Sequence, residues 1–134
     1  MGADQPSIRI DADLRQVRDI AHFVREQAAK AGLGEMALAD VELAVVEAAN
    51  NIILHGYGNA AGSIECTVGS ADGTVSVILV DSGSPIPAEK LERRQSPAAL
   101  SESGRGLSII RACVDRLDYA SAGGENRLTL SKGG

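Results

Sequence analysis

The spacing of apolar residues changes several times along the chain, and this alternation restricts the possible folds more than any other feature. Ile8 and Ile10 alternate with polar neighbours, as in a half-buried strand, whereas beyond Asp13 apolar residues recur every three or four positions, as on one face of a helix. Asp13 suits the N-cap of that helix, and Gly32 suits its end. The whole pattern predicts helices over residues 13–31, over 35–55 and directly after Gly106, and strands over 7–11, 64–68, 75–80, 117–120 and 127–131.

The order of these elements is typical of helices packed on one face of a sheet. A glycine-containing turn at 71–73 between two β-prone segments predicts a hairpin. About twenty residues, 84–103, lack strong periodicity, and loops of that length are usually lids or binding loops. We therefore expect one α+β domain over residues 1–134, a two-layer sandwich with a mixed, largely antiparallel sheet and helices on one face.

The composition excludes several classes of function. The net charge is −5, and the three lysines and ten arginines are scattered, which argues against direct binding to nucleic acid because such binding depends on clustered cations. Only three aromatic residues are available for base stacking. No apolar run approaches the ~18 residues of a spanning helix, and residues 1–6 lack a secretory pattern. We expect a cytoplasmic protein without membrane association.

Two cysteines, Cys66 and Cys113, lie in apolar surroundings without CxxC spacing or nearby histidine clusters. This pattern favours reduced thiols in the core over a disulfide or a zinc site. A thiol-based enzyme or sensor is an alternative, but neither cysteine has an adjacent base in the sequence.

The second predicted helix carries polar residues in an otherwise apolar segment. Glu47, Asn51 and His55 are four residues apart, so they form a stripe along one ridge of the helix. An exposed face would explain this stripe. A binding site would also explain it, because a carboxylate and an amide among apolar neighbours need partners, and a divalent metal with a phosphate would supply them.

Two further segments have the residue types of a binding site. Asp81 ends the most apolar strand, where it could cap a turn or accept a hydrogen bond from an exocyclic amine, with Gly83 allowing a flat ligand near the backbone. Gly104 and Gly106 precede the third helix, where exposed N–H groups could hold an anion, and Arg105 could bind phosphate oxygens. Such a segment is also common in ordinary loops.

The order of these features, Glu-x-x-x-Asn on a helix, Asp-x-Gly after a strand, and Gly-x-Gly-Leu before a helix, resembles the Bergerat-fold (GHKL) ATPases. Among them, the segment from Glu47 to Tyr57 (EAANNIILHGY) is similar to the asparagine box of the small anti-sigma factor serine kinases. The resemblance extends from the first strand to Leu130. It implies the Bergerat fold, bound ATP and Mg²⁺.

The resemblance also assigns roles. It implies that Glu47 is the general base, Asn51 the magnesium ligand and Asp81 the reader of adenine. Asn50 is a rival for Asn51, but the four-residue step from Glu47 favours Asn51. The remaining nucleotide-binding residues implied are His55, Gly83, Gly104, Arg105, Gly106, Leu107 and Asn126.

Three departures from the family pattern are visible. Pro85 stands where a second glycine of the Asp-x-Gly-x-Gly box is usual, a variant similar to that of many short anti-sigma regulators. Gly124-Glu-Asn126 stands where a Gly-Thr pair is often present, which puts a threonine contact near adenine in doubt. The lid, about 84–103, is short.

The resemblance implies an ATP-dependent protein serine kinase that acts by partner switching. Such a protein sequesters a sigma factor in one state, and in another binds a STAS-domain anti-anti-sigma protein and phosphorylates one of its serines. A homodimer is a further possible assembly. The alternative is a non-catalytic nucleotide-binding module that regulates its partner by occlusion.

Overall fold

The computed structural model describes residues 5–92 and 102–133, with no side-chain environment for residues 92 and 102–105. Its sheet contains five strands: β1 (Ser7–Asp11), β2 (Ser63–Ala71), β3 (Thr74–Asp81), β4 (Arg116–Ala122) and β5 (Glu125–Gly133). Their order is β1-β2-β3-β5-β4, and every pairing is antiparallel. The structure therefore confirms the predicted α+β fold, with a fully antiparallel sheet in the described residues.

Two tight hairpins join β2 to β3 and β4 to β5. In the β2–β3 turn, Asp72 and Gly73 have φ of 53° and 80°, and in the β4–β5 turn Gly123 and Gly124 have φ of 62° and 80°. Two consecutive positive φ values are typical of the type I′ turn, whose twist matches that of antiparallel strands. The pairing of β3 with β5, which joins the two hairpins, places Asp81 at the end of β3 opposite Asn126 of β5.

Four helices accompany the sheet: α1 (Val17–Lys30), α2 (Glu35–Asn51), α3 (Ala88–Glu92) and α4 (Glu102–Cys113). Helix α2 packs between α1 and α4. Alternate residues of β2 and β3 are buried against the helices, as the period of two predicts. The most deeply buried large side chains of this core are Ile20, Ile53, Ile64, Leu79 and Ile110.

The first predicted helix begins later than expected. Asp13 does act as a cap, because its carboxylate accepts a hydrogen bond from the Arg15 backbone N–H at 2.9 Å. The turn that it caps is a 3₁₀ turn over Leu14–Gln16, however, and α1 begins only at Val17. A cap residue satisfies free N–H groups in either kind of turn, so the sequence alone did not separate them.

The second predicted helix changes its geometry near its end. The α-helical part stops at Asn51, and Ile52–Gly56 form a π-helical turn in which the Tyr57 N–H donates to the Ile52 carbonyl at 2.8 Å. A hydrogen bond to the fifth preceding residue widens the turn, so His55 does not continue the α-helical ridge of Glu47 and Asn51. Single π turns of this kind are frequent at functional sites.

The region from 84 onwards also differs from expectation. Residues 88–92 form the short helix α3, and α4 begins at Glu102, so Gly104 and Gly106 lie inside the helix instead of before it. The part of the predicted lid at 93–101 lies outside the described residues. No helix in residues 5–92 or 102–133 is long and apolar enough to cross a membrane.

The two cysteines are core residues without a disulfide. Burial raises the pKa of the Cys66 thiol, on β2, to about 12. The pKa of Cys113, on α4, is also raised, first by burial and then by the negative charges of Asp40 and Glu47 on α2. The burial of both thiols and their lack of a disulfide agree with the predicted core thiols.

Candidate functional site

A cavity of about 350 Å³ opens between the C-terminal end of α2, the segment that follows β3, and α4. Its volume lies within the ~300–1,000 Å³ that is typical of small-molecule sites. The polar residues in its walls are Asn51, His55, Asp81, Ser84, Lys90 and Tyr119. Most of the remaining wall is apolar, and it includes Ala48, Ile52, Ile86, Leu107, Ile110 and Leu128.

Asp81 lines this cavity and is 7% exposed. Its Oδ1 accepts hydrogen bonds from the Gly83 N–H at 2.8 Å and from Asn126 Nδ2 at 2.9 Å. No described residue donates a hydrogen bond to the second carboxylate oxygen, Oδ2. The turn cap offered by the sequence is therefore confirmed, because Oδ1 accepts from the Gly83 N–H. The same side chain lines the cavity, and its role as an acceptor for an exocyclic amine stays a prediction.

The close approach of two backbone segments requires glycine at position 83. A Cβ at this position would lie 2.6–3.1 Å from the main-chain atoms of Gly56, at the end of the π turn, so any side chain would force the two segments apart. The Ser84 N–H donates to the Gly56 carbonyl at 2.7 Å, which joins the same two segments. Gly83 itself is not among the residues that line the cavity.

Two tyrosine hydroxyls hold the ends of the segment after β3. The Tyr57 hydroxyl accepts from the Ser82 N–H at 2.8 Å and donates to the Ser63 carbonyl at 2.7 Å. The Tyr119 hydroxyl accepts from the Ile86 N–H at 2.9 Å, and burial raises the pKa of this hydroxyl, which keeps it protonated. Tyr119 also lines the cavity.

The polar stripe of α2 is divided by the structure. Asn51 and His55 line the cavity, but Glu47, one helical turn before Asn51, does not. Glu47 is half-buried on the side of α2 that faces α4, and its charge affects Cys113. Glu47, Asn51 and His55 have no hydrogen-bonded side-chain partner among the residues that the structure describes. Asn50, the rival of Asn51, does not line the cavity.

Helix α4 meets Asn51 at a glycine. A Cβ on Gly106 would lie 2.8 Å from Asn51 Nδ2 and 3.1 Å from Oδ1, so the absence of a side chain lets the amide pack against the backbone of α4. Leu107, the next residue, is buried and lines the cavity. Gly104 and Arg105 belong to the first turn of α4, but their side-chain surroundings lie outside the described part of the chain.

Several residues of this site escaped the sequence analysis. Tyr57 was quoted only as part of a motif, and Tyr119, Lys90 and Ser121 were not singled out. A chain with just three aromatic residues offers one signal, because each such residue has a high chance of a specific structural role. No feature of the neighbouring sequence identifies Lys90 or Ser121 as a residue of the site. Asn126 was singled out as a nucleotide contact, yet it lies behind Asp81 and outside the cavity lining.

Comparison with known proteins identifies the architecture. Residues 10–132 match the family described as "Histidine kinase-like ATPase domain". The chain is 30% identical over 96 residues to an anti-sigma F factor of Thermoanaerobacter sp. (strain X514), an alignment that covers 68% of this chain and 66% of that protein. It is 27% identical over 85 residues to the serine-protein kinase RsbW of Bacillus thuringiensis (strain Al Hakam), covering 58% of this chain and 53% of the relative.

A solved structure gives the same result. The structure of the RsbU and RsbW domains of Rv1364c from Mycobacterium tuberculosis matches 95% of this chain with a TM-score of 0.67 and 25% sequence identity, and the match covers 32% of that longer chain. The chain thus spans about two thirds or less of the relatives that it matches. The resemblance to GHKL ATPases is confirmed, because the family match includes the asparagine box, the end of β3 and α4. The chain belongs to the family of histidine kinase-like ATPase domains.

Proposed function

We propose that this protein binds ATP with Mg²⁺ and acts as a serine kinase in partner switching, sequestering a sigma factor and phosphorylating a serine of a STAS-domain anti-anti-sigma protein. The observation that carries the proposal is the cavity, which has a buried carboxylate in an apolar pocket at one place and an amide and an imidazole at another. Relatives named anti-sigma F factor and serine-protein kinase RsbW support the choice of partners.

Asp81 would bind the adenine base. With Oδ1 occupied by Gly83 and Asn126, the remaining oxygen, Oδ2, can accept a hydrogen bond from the exocyclic amine. The apolar side chains around it, among them Ile52 and Leu128, would cover the faces of the base. A charge-assisted hydrogen bond in such a pocket contributes about 1.5–3 kcal/mol.

Asn51 would hold the metal, whose chemistry when bound is to neutralise charge on the phosphate oxygens. The donor set fits Mg²⁺, which is usually held by one or two protein groups, substrate phosphates and water. No cluster of three or more His, Cys, Asp or Glu side chains suitable for a metal occurs among the described residues, so most ligands would come from the nucleotide. Lys90, the lysine of the cavity wall, and Arg105 would contact the phosphates.

Glu47 would be the general base. In the transfer, the substrate serine Oγ forms a bond to the γ-phosphorus, the bond from that phosphorus to the β–γ bridging oxygen breaks, and ADP leaves. The serine proton passes to the Glu47 carboxylate. Glu47 lies on α2 one turn before Asn51, so in this proposal its carboxylate would approach the phosphate groups that Asn51 and Mg²⁺ would hold.

A second candidate function is a nucleotide-binding module that regulates by occlusion without transferring phosphate. The observation that favours it is the position of Glu47, which lies outside the cavity lining. Both candidates require nucleotide binding, so they differ only in turnover.

Two measurements test these functions in order. ADP or ATP with Mg²⁺ at ~100 times its dissociation constant should stabilise the fold by about 2.7 kcal/mol, which is read as a higher melting temperature. The protein is then incubated with ATP labelled at the γ-phosphate, Mg²⁺ and candidate STAS proteins, and label on a STAS serine is measured together with co-elution. No thermal shift at millimolar nucleotide contradicts both functions, whereas binding without transfer to any STAS protein contradicts the kinase and leaves the occlusion module.

A further inference from the structure

Asn126 is almost completely buried, at 2% exposure, and lies in a row of three polar residues across the sheet. It pairs with Ser121 of β4 on one side and with Asp81 of β3 on the other. Its Nδ2 donates to Asp81 Oδ1 at 2.9 Å and to the Gly83 carbonyl at 2.8 Å, and its Oδ1 accepts from the Ser121 hydroxyl at 2.7 Å.

The chemistry of these partners fixes the orientation of the amide. A carboxylate oxygen and a backbone carbonyl can only accept hydrogen bonds, so the NH₂ group must face Asp81 and Gly83. Both of its hydrogens are then used. Ser121 can donate to the oxygen, which completes a set of partners supplied by the protein. The Asn126 side chain therefore has no N–H left for a ligand, and any effect that its amide donors have on a ligand must pass through Asp81 or the backbone of Gly83.

The consequence for Asp81 is a fixed carboxylate. Two donors, the Gly83 N–H and Asn126 Nδ2, bind the same oxygen, Oδ1, from the turn and from the neighbouring strand. These bonds define the rotamer of the side chain and leave Oδ2 as the acceptor for a molecule in the cavity. The Gly83 carbonyl is held by the same amide, and Gly83 contacts the backbone of Gly56 in the cavity wall.

We propose that Asn126 is a positioning residue for base selection, which orients Asp81 so that Oδ2 meets the 6-amino group of adenine. This inference rests on the proposed binding of adenine nucleotide. It assigns Asn126, supported by Ser121, a role in selectivity and not a contact with the nucleotide.

The experiment measures the coupling between Asn126 and the 6-amino group. Dissociation constants are determined by titration calorimetry for ADP and for purine riboside 5′-diphosphate, which is the same nucleotide without the amine. The wild type should prefer ADP by ~10-fold or more, the contribution of one charge-assisted hydrogen bond. Asn126→Leu keeps the branched shape of the side chain but removes both donor hydrogens. ADP affinity should therefore fall, while affinity for the amine-free nucleotide should stay nearly constant. The preference for ADP should decrease at least ~3-fold.

Tyr57→Phe is the matched control. It removes a hydroxyl that holds the same segment at Ser82, next to Asp81, without removing a hydrogen-bond partner of the Asp81 carboxylate. We expect this variant to melt at a lower temperature and to keep the wild-type preference. If Asn126→Leu does not fold, Asn126→Thr and Ser121→Ala carry the test: Thr retains one donor, and both variants should reduce the preference ~2-fold or more.

The possible results separate the two proposals. Equal loss of both nucleotides in a folded Asn126 variant, or an unchanged preference, gives Asn126 a structural role only and overturns the inference. A wild type that binds both nucleotides equally also overturns it, because Asp81 then does not read the amine, although nucleotide binding stands. A wild type that binds neither overturns the proposed function and, with it, this inference.

Discussion

The two sides of the cavity differ in how completely the protein satisfies its own polar groups. On one side lies the segment Ser82–Pro87 with Asp81, which we call the base wall. On the other side lie Asn51 and His55, and Glu47 lies one helical turn before Asn51, outside the cavity lining. We call these three residues the α2 ridge, although His55 belongs to the π turn that follows α2. All four backbone N–H groups of Ser82–Pro87 donate within the protein, to Tyr57, Asp81, Gly56 and Tyr119.

The prolines complete this arrangement in the base wall. Pro85 and Pro87 have no N–H to satisfy, and their rings restrict φ. Pro85 therefore stiffens the segment that follows Gly83. A wall held in this way needs little ordering when a ligand binds, which reduces the entropic cost of association.

The α2 ridge shows the opposite arrangement. Its three side chains lack hydrogen-bonded side-chain partners in the described ranges, although Asn51 and Glu47 are half-buried. Half-buried polar groups without a hydrogen-bonded protein side chain are available to bind a ligand. The comparison predicts that substitutions in the base wall change stability and affinity together, while substitutions in the ridge change chemistry more than stability.

The largest effect is expected for Glu47→Ala. Loss of a general base typically lowers the rate ~10²–10⁴-fold, so phosphate transfer to the STAS serine should fall by that factor, with ADP affinity nearly unchanged. Glu42→Ala is the control on the same helix, because Glu42 pairs with Arg25 at 3.1 Å toward α1. Equal transfer rates for the Glu47 and Glu42 variants would show that the ridge is a solvated face.

Asn51→Ala should lower both Mg²⁺-dependent nucleotide affinity and transfer. Residues that hydrogen-bond to the ligands of a bound metal typically contribute ~10–100-fold in metal affinity or activity, and a direct ligand should contribute at least as much. The neighbouring Asn50→Ala removes the same group outside the cavity and should change neither quantity. Titration of ADP with and without Mg²⁺ measures the effect, and a larger loss in the Asn50 variant would reverse the assignment.

Asp81→Asn should weaken adenine nucleotide binding ~10-fold or more with a smaller effect on folding. The new amide can present its oxygen to Gly83 and Asn126, so the cap survives. Its NH₂ group then replaces Oδ2 and faces the donor amine of adenine. Calorimetric titration and thermal melting of the same sample separate the outcomes: normal affinity with a low melting temperature would reduce Asp81 to a turn cap.

A smaller effect is expected for Tyr57 and Tyr119, whose hydroxyls hold the two ends of the base wall. Tyr57→Phe and Tyr119→Phe each leave a backbone N–H, of Ser82 or Ile86, without its acceptor, which should cost about 1–3 kcal/mol of unfolding free energy. Denaturant unfolding measures this loss. Tyr119→Phe should also change nucleotide affinity, since Tyr119 lines the cavity, and unaltered stability in both variants would mean that the wall is not held by these hydroxyls.

A separate prediction concerns the thiols, which lie outside the cavity lining. With the pKa of Cys66 raised to about 12, roughly one thiol in 10⁴ is ionised at pH 8, so iodoacetamide should modify the native protein far more slowly than the unfolded chain. The rate should rise with pH because the thiolate is the reactive form. Mass spectrometry of timed samples checks this, and rapid labelling of native Cys66 would revive the thiol alternative.

The sequence determined the elements and their order, because each depends on neighbouring residues. The period of two along β2 and β3, the period of 3.6 in α1 and α2, and the two glycine-containing turns sufficed for the strands, for most of the helices and for the fold class. The four-residue step from Glu47 to Asn51 and the position of Asp81 at the end of a strand indicated the site. Such signals are local, so the spacing of residues along the sequence is sufficient to detect them.

The tertiary structure decided which residues complete the site. Asn126 reaches Asp81 through a strand register that joins residues 45 positions apart, and Tyr119 meets Ile86 across 33 positions. The π turn after Asn51 and the contact of Gly106 with that amide depend on how α2 packs against α4. Packing and register select these contacts from many that the local pattern allows equally, which is why the cavity, its base wall and the separation of Glu47 from its lining emerge only from the folded chain.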